Sequence, residues 1–320
     1  MRLLMKLFSQ CFFIVVILFC SVGCHQAPPT ALRIGTNVWP GYEPFYLAQA
    51  QGYYKDLNVR LVEYPSASEV LRAFKNGNLE AVALTLDEVV SLRRSRPDIK
   101  IVLVMDVSHG GDVIIAKEGI ESVEDLRGKR VAVESSALGA YFISRALEMH
   151  GMRPEDISII HIEVSGHEEA FLQDRVDAAV TFEPVRTKLL AAGGKEIFSS
   201  REIPGEIVDV LVVHEKAVAG HRDILKKVVK GWFKALDDLE KKPQEAAGIM
   251  AKRLKITPDE VLASYDGLVL PDVDENYRML NETNGTLYRG LSNLSSIMLK
   301  QNLLTEEPSC QYLLTEQFLP

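Results

Sequence analysis

From residue 32 onward the chain alternates short β-rich runs with helical runs, and it writes this pattern twice. Strand-like segments at 32–36, 59–64, 81–84 and 99–106 are separated by helical stretches at 43–51, 67–75 and 87–94. The order restarts with strand 130–133, helix 141–150, strand 157–162, helix 167–173, strand 177–181 and helix 183–192. Sliding the chain on itself by 97 residues places Ile34 on Val131, Phe45 on Phe142, Phe74 on Phe171, Glu80 on Asp177 and Ala81 on Ala178. Strands that alternate with helices are joined by crossovers, so each half predicts a mostly parallel sheet. The expected fold class is α/β, with two doubly wound lobes joined by two hinge crossings.

Two lobes in one chain need a seam. The Gly-rich segment 107–115 and the segment 199–208, with Pro204 and Gly205, are the candidate crossings. The apolar runs 113–116 and 208–213 beside them read as strands passing between the lobes. This divides the body into 32–110 plus 208–320 as lobe 1 and 111–207 as lobe 2, with helices at 223–241, 243–254 and 277–301 completing lobe 1. Ligands of open α/β sheets settle at the carboxyl ends of the strands, which here would face a shared cleft.

Composition narrows the partners. The chain has 320 residues, with 36 Lys+Arg against 44 Asp+Glu and a net charge of −8. An acidic chain without a basic block argues against nucleic acid. Three of the four cysteines lie in the first 24 residues, which removes a disulfide framework from the body. No His pair stands at metal spacing, and His167-Glu-Glu lacks the second His of a zinc helix, so no metal or cofactor is expected. Arg2 and Lys6 precede ten apolar residues, 11–20, too few to span a bilayer of about 30 Å. Residues 1–23 therefore read as a secretory signal peptide and 24–31 as a short tether. Loss of the signal removes two positive charges, leaving 34 against 44, or −10.

Cys24 directly after Gly23 resembles a bacterial lipobox, although Ser21 stands where that pattern prefers Leu. Together with Ile34-Gly-Thr-Asn-Val-Trp-Pro-Gly-Tyr42 and the paired strands 78–85 and 175–182, it makes the chain resemble periplasmic solute-binding proteins of ABC importers. The resemblance runs from Leu32 to the C-terminus and lies in the branch that handles nitrate, taurine, aliphatic sulfonates and thiamine-pyrimidine precursors. It implies a periplasmic binding protein type II-like body that closes over a small solute and delivers it to ABC permease and ATPase subunits. It also implies a monomer, exported and anchored to a membrane through Cys24, facing the periplasm or the cell exterior.

Several residues are candidates for the ligand. Asn37, Trp39 and Tyr42 follow the first strand, and the two rings offer stacking faces, unless Trp39 only packs under its loop. Leu84 and Thr85 end one strand and Thr181 and Phe182 end its counterpart. The acids that follow, Asp87 and Glu183, face the cleft or serve a helix start. Glu134, Ser135, Ser136 and Gly139 lead into a helix whose free amides suit an anion, although the Glu134 carboxylate opposes one. Ser108 and Asp112 flank the paired glycines of the first crossing, as a ligand contact or a plain turn. Asp209, inside an apolar strand, needs a partner or an opening to a site.

The solute expected is an amine-containing, sulfonate or heterocyclic nitrogen compound, and no catalytic residue is assigned. A sensory lipoprotein presenting its solute to a membrane receptor would carry the same sequence. A pyrimidine-synthase-like enzyme would need a Cys-rich segment, and the body holds Cys310 alone.

Overall fold

The computed structural model describes residues 31–282 and 285–320; the signal segment, Cys24 and the tether to residue 30 lie outside the described residues. Among the described residues the strands form two sheets. The larger takes β1 (Leu32–Thr36), β2 (Val59–Glu63), β3 (Ala81–Thr85), β4 (Ile99–Ser108), β10 (Val208–His214) and β11 (Leu268–Val269), in the order β11-β4-β10-β3-β1-β2. The smaller takes β5 (Val113–Ala116), β6 (Arg130–Val133), β7 (Ser158–His161), β8 (Ala178–Thr181) and β9 (Lys195–Ser199), in the order β7-β6-β8-β5-β9.

Helices α1 (Glu43–Ala50), α2 (Ala67–Lys75) and α3 (Leu86–Arg93) link the strands of the larger sheet. Helices α4 (Ala137–Met149), α5 (His167–Leu172) and α6 (Val185–Ala191) link those of the smaller. After β10 the chain continues through α7 (Glu215–Lys241), α8 (Pro243–Leu254), α9 (Pro258–Tyr265), α10 (Val273–Leu280) and α11 (Thr286–Lys300). These five helices share one core with the larger sheet, around the buried Trp232, Met250 and Leu291. The smaller sheet buries both faces. Ile114, Val131 and Val133 point into one apolar cluster, and Val113, Ile115 and Ala132 into another, as the two-residue period of a strand dictates.

The repeat legible in the sequence is structural. β1 pairs with β3 through Ile34–Ala81 and Gly35–Val82, and β6 pairs with β8 through Val131–Ala178 and Ala132–Ala179, each 97 positions on. An ion pair repeats with it. Glu80 accepts the Arg33 backbone N–H at 2.9 Å and its guanidinium Nη2 at 2.6 Å. Asp177 accepts the Arg130 backbone N–H at 2.8 Å and its Nη2 at 2.8 Å. Both acids fix the base of a central strand, where the edge amide has no ladder partner.

Three expectations change. The runs 113–116 and 208–213 do not pass between lobes: β5 belongs wholly to the smaller sheet and β10 to the larger. The crossings are the loops between β4 and β5 and between β9 and β10. The single helix expected over 277–301 is two helices. Asn281 leaves the helical region with ψ 118°, and the Gly285 N–H donates to the Asn281 carbonyl at 2.8 Å. A Cβ at Gly285 would lie 2.4 Å from that carbonyl oxygen, so the break needs glycine. β9, α9 and β11 were not expected; α9 carries a readable start, in which Thr257 and Glu260 cap each other reciprocally.

Glu80→Ala strips an acceptor from a backbone amide as well as from a guanidinium, and should cost about 1–2 kcal/mol. Arg33→Ala removes one half-exposed charge and should cost less than about 1 kcal/mol. Chemical denaturation of both variants measures the difference; equal losses contradict this role for Glu80.

Candidate functional site

The carboxyl ends of β1, β3 and β4 and the start of β10 meet the carboxyl ends of β6 and β8 and the start of β5. The register sets this: Asp209 stands opposite Thr85 on one side and Asp106 on the other, and Val113 stands opposite Thr181. At this junction lies a cavity lined on the larger-sheet side by Asn37, Trp39, Tyr42, Ala67, Thr85, Glu88 and Asp209. Asp112, Glu134, Leu138 and Phe182 complete it. It leaves about 20 Å³ in which the centre of a water-sized sphere fits, room for about one water.

Contacts from opposite sides hold it shut. The Trp39 ring meets Phe182 edge-on, with centroids 5.2 Å apart and planes at 89°. Across the same gap, Glu134 Oε1 accepts the backbone N–H and the hydroxyl of Ser68, both at 3.2 Å. Glu134 thus sits on the first turn of α2, where free amides favour an anion. On the far side, Glu148 of α4 takes Lys300 Nζ at 2.5 Å and Gln301 Nε2 at 3.1 Å.

The crossings are knitted together behind the cavity. Ser108 and Ser200 hydroxyls meet at 2.8 Å, the Gly110 N–H donates to Ser200 Oγ at 2.6 Å, and the Asp112 N–H donates to Ser108 Oγ at 3.2 Å. Gly110 has φ +112°, a conformation closed to most side chains.

Carboxyl groups dominate the site. Asp106, Asp209, Asp87, Glu88, Asp112 and Glu134 are all buried. Asp106 and Asp209 lie side by side on adjacent strands. Trp39 Nε1 donates to Asp106 Oδ2 at 3.2 Å, and the Tyr42 hydroxyl donates to Asp209 Oδ1. Glu88 Oε2 accepts the Thr85 N–H at 3.2 Å as part of the helix cap. Yet Glu88 Oε1, Asp106 Oδ1, Asp112 Oδ2, both Asp87 oxygens and Thr85 Oγ1 are buried without a partner. None of the lining residues is Lys, Arg or His. Burial accordingly pushes the Asp112 carboxyl up to about 6 and Glu134 to about 7. Burial, then the Asp87 and Glu134 charges, pushes Glu88 to about 8. Asp106 and Asp209 also move up, through burial first; the Asp112 charge adds to Asp106 and the Asp106 charge adds to Asp209.

The structure brings Asn37, Trp39, Tyr42, Thr85, Asp112, Glu134, Phe182 and Asp209 to one cavity. It places the others elsewhere. Leu84 lies in the core of the larger sheet. Ser108 works in the crossing knot, and Thr181 is buried at the end of β8 with its hydroxyl unpaired. At the expected anion pocket at the start of α4, Ser136 Oγ takes the Gly139 N–H at 3.1 Å, Ser135 is exposed, and the Glu134 carboxylate turns to Ser68. Gly139 is required because a Cβ there would lie 2.5 Å from the Glu134 carbonyl. Glu183 serves a helix start, accepting the Thr187 N–H and hydroxyl at 3.1 Å and Arg186 Nη1 at 3.1 Å. Two acids escaped the sequence reading. Asp106 carried the same signal as Asp209, a carboxylate in an apolar strand. Glu88 fell inside the expected helical stretch 87–94 without a signal of its own.

A family model described as "NMT1/THI5 like" matches residues 39–246, more than half of the chain. The chain belongs to the NMT1/THI5-like family. A putative binding protein of Brucella abortus is 27% identical over 165 residues, 49% of this chain, which spans about half (50%) of that relative's length. The taurine-binding periplasmic protein of Escherichia coli is 21% identical over 267 residues, 75% of this chain and 83% of its own. The alkanesulfonate-binding protein SsuA of Xanthomonas axonopodis pv. citri, solved with bound MOPS, has a TM-score of 0.73 at 16% identity, over 88% of this chain and 96% of that one. The two share their fold.

In this family member the site's carboxyls hold protons that the unfolded chain has released. Their raised values mean that stability falls as pH rises from about 4 through the folded values near 6 to 8. Buried His167, lowered by burial to about 4, acts the other way, but its contribution is full above about 6.5. The melting temperature should therefore drop between pH 6.5 and 8, and drop less in Glu88→Gln. A flat or rising profile contradicts this electrostatic account.

Proposed function

We propose that this chain is an extracytoplasmic solute-binding protein that encloses a small solute between two lobes and delivers it to an ABC permease. The lobes are 32–110 plus 208–320 and 111–207, and the crossings between β4 and β5 and between β9 and β10 are their hinges. The observation that carries this reading is the cavity at the strand ends, walled from both sheets and shut by the Trp39–Phe182 and Ser68–Glu134 contacts. Solute entry then requires these few contacts to part, and, because the shut cavity has room for about one water, the solute is held with the two sides closed on it at a wider setting, favoured through differential affinity. No bond is made or broken in this work. In the same reading, Cys24 carries the lipid that keeps the protein near its permease.

The Glu148–Lys300 and Glu148–Gln301 contacts support the hinge placement, because they too join α4 to the end of α11 across the divide. Trp39 gives a direct probe, since it is one of two tryptophans and the one in the cavity. Across taurine, alkanesulfonates, nitrate, polyamines, simple amidines and thiamine-pyrimidine precursors, at least one class should raise the melting temperature by mass action and change indole emission. Trp39→Ala should abolish the emission change and weaken binding at least about tenfold, or 1.4 kcal/mol. Absence of any shift across all classes refutes the solute-binding reading.

A further inference from the structure

The charges that wall the cavity specify more than a small solute. Its lining includes four carboxyl-bearing side chains, Glu88, Asp112, Glu134 and Asp209, and no basic one. Two of them, Glu88 and Asp112, each carry a buried oxygen without a hydrogen-bond partner, and Thr85 adds an unpartnered hydroxyl to the same lining. A buried carboxylate oxygen without a partner costs free energy that a counter-charge would recover. The fourth group, Glu134, occupies the α2 start through the Ser68 amide and hydroxyl. The start of α2, a helix end that suits an anion, is thus filled by the chain's own carboxylate.

We propose that the solute of this site is a small organic cation, its positive nitrogen held by Asp112 and Glu88 beside Trp39 and Phe182, and that sulfonates are excluded. This rests on the solute-binding reading and names its substrate class. A desolvated ammonium or amidinium supplies the donors that Glu88 Oε1 and Asp112 Oδ2 lack. The indole and phenyl rings add cation–π attraction, which strengthens as the cation is desolvated. A metal ion does not meet the geometry, because among the described residues no three His, Cys, Asp or Glu side chains converge as a coordination site requires. A sulfonate would bring negative charge into the same shell without a single Lys, Arg or His to receive it. Asp106 and Asp209 reinforce the field behind the lining, held by Trp39 Nε1 and the Tyr42 hydroxyl.

The test uses shape-matched probes on the full chain at pH 7.5: choline, benzamidinium, guanidinium and agmatine against methanesulfonate, benzenesulfonate, taurine and nitrate. At least one cation should raise the melting temperature and titrate calorimetrically, with no anion or zwitterion doing so. Asp112→Asn and Glu88→Gln should each weaken that cation at least tenfold while leaving the melting temperature of the unliganded protein unchanged or higher, since a repelled buried charge has gone. Unaltered binding after a chelator wash keeps the ligand organic; binding that requires a divalent metal overturns the inference. If a sulfonate, taurine or nitrate binds as well as any cation, the inference falls and solute binding stands. If neither half of the panel binds, the inference falls, and solute binding falls with it when the thiamine-pyrimidine precursors and polyamines are silent as well.

Discussion

Asp106 and Asp209 stand shoulder to shoulder on adjacent central strands, with Glu88, Asp112 and Asp87 close behind and no Lys, Arg or His among the residues that line the cavity. A folded chain tolerates this only by partial protonation, by donors such as Trp39 Nε1 and the Tyr42 hydroxyl, or by a ligand that brings the missing charge. The rest of the cleft is arranged around that constraint. Gly41 is the clearest case: a Cβ there would lie 2.0 Å from Asp106 Oδ2 and 2.3 Å from Trp39 Nε1, so the loop can approach the acid pair only without a side chain.

The doubled βα unit explains why such a cluster forms at a junction. Each repeat is fixed at its base by the same Arg–acid pair, Arg33–Glu80 and Arg130–Asp177, far from the site. Both repeats end their central strands toward the cavity, where their sequences diverge: Thr85-Leu-Asp-Glu88 on one side, Thr181-Phe-Glu-Pro184 on the other. The common part makes two sheets, and the divergent part makes one site. Closure then needs little surface, because one edge-on ring contact and one carboxylate on a helix start join the two sides.

Most of the fold was legible because period-two and helical patterns are local. The 97-residue offset, which sets Ile34 on Val131 and Ala81 on Ala178, recurs in the structure, where Ile34 pairs with Ala81 and Val131 with Ala178. The break at Asn281–Gly285 was missed because helical periodicity continues across it, while a backbone carbonyl meeting Gly285 is a tertiary event. At the site, Trp39, Tyr42, Asp112 and Asp209 were recognisable by residue type and strand-end position. The role of Glu134 was not. Its chain position suggested an anion pocket at α4, whereas its partner is Ser68 on α2, 66 residues away, a pairing no local pattern encodes.

The central claim is that the site's carboxyls have no counter-charge in the unliganded protein and so hold their protons to unusually high pH. Carbon-detected NMR of carboxyl-labelled Asp and Glu reads this directly, with Asp112→Asn and Glu88→Gln supplying the assignments. The account predicts that Asp112 titrates near pH 6 and Glu88 near pH 8, both well above the range of exposed carboxylates. Titration of both near pH 4 would show that the acids are already solvated or paired, and would contradict the account.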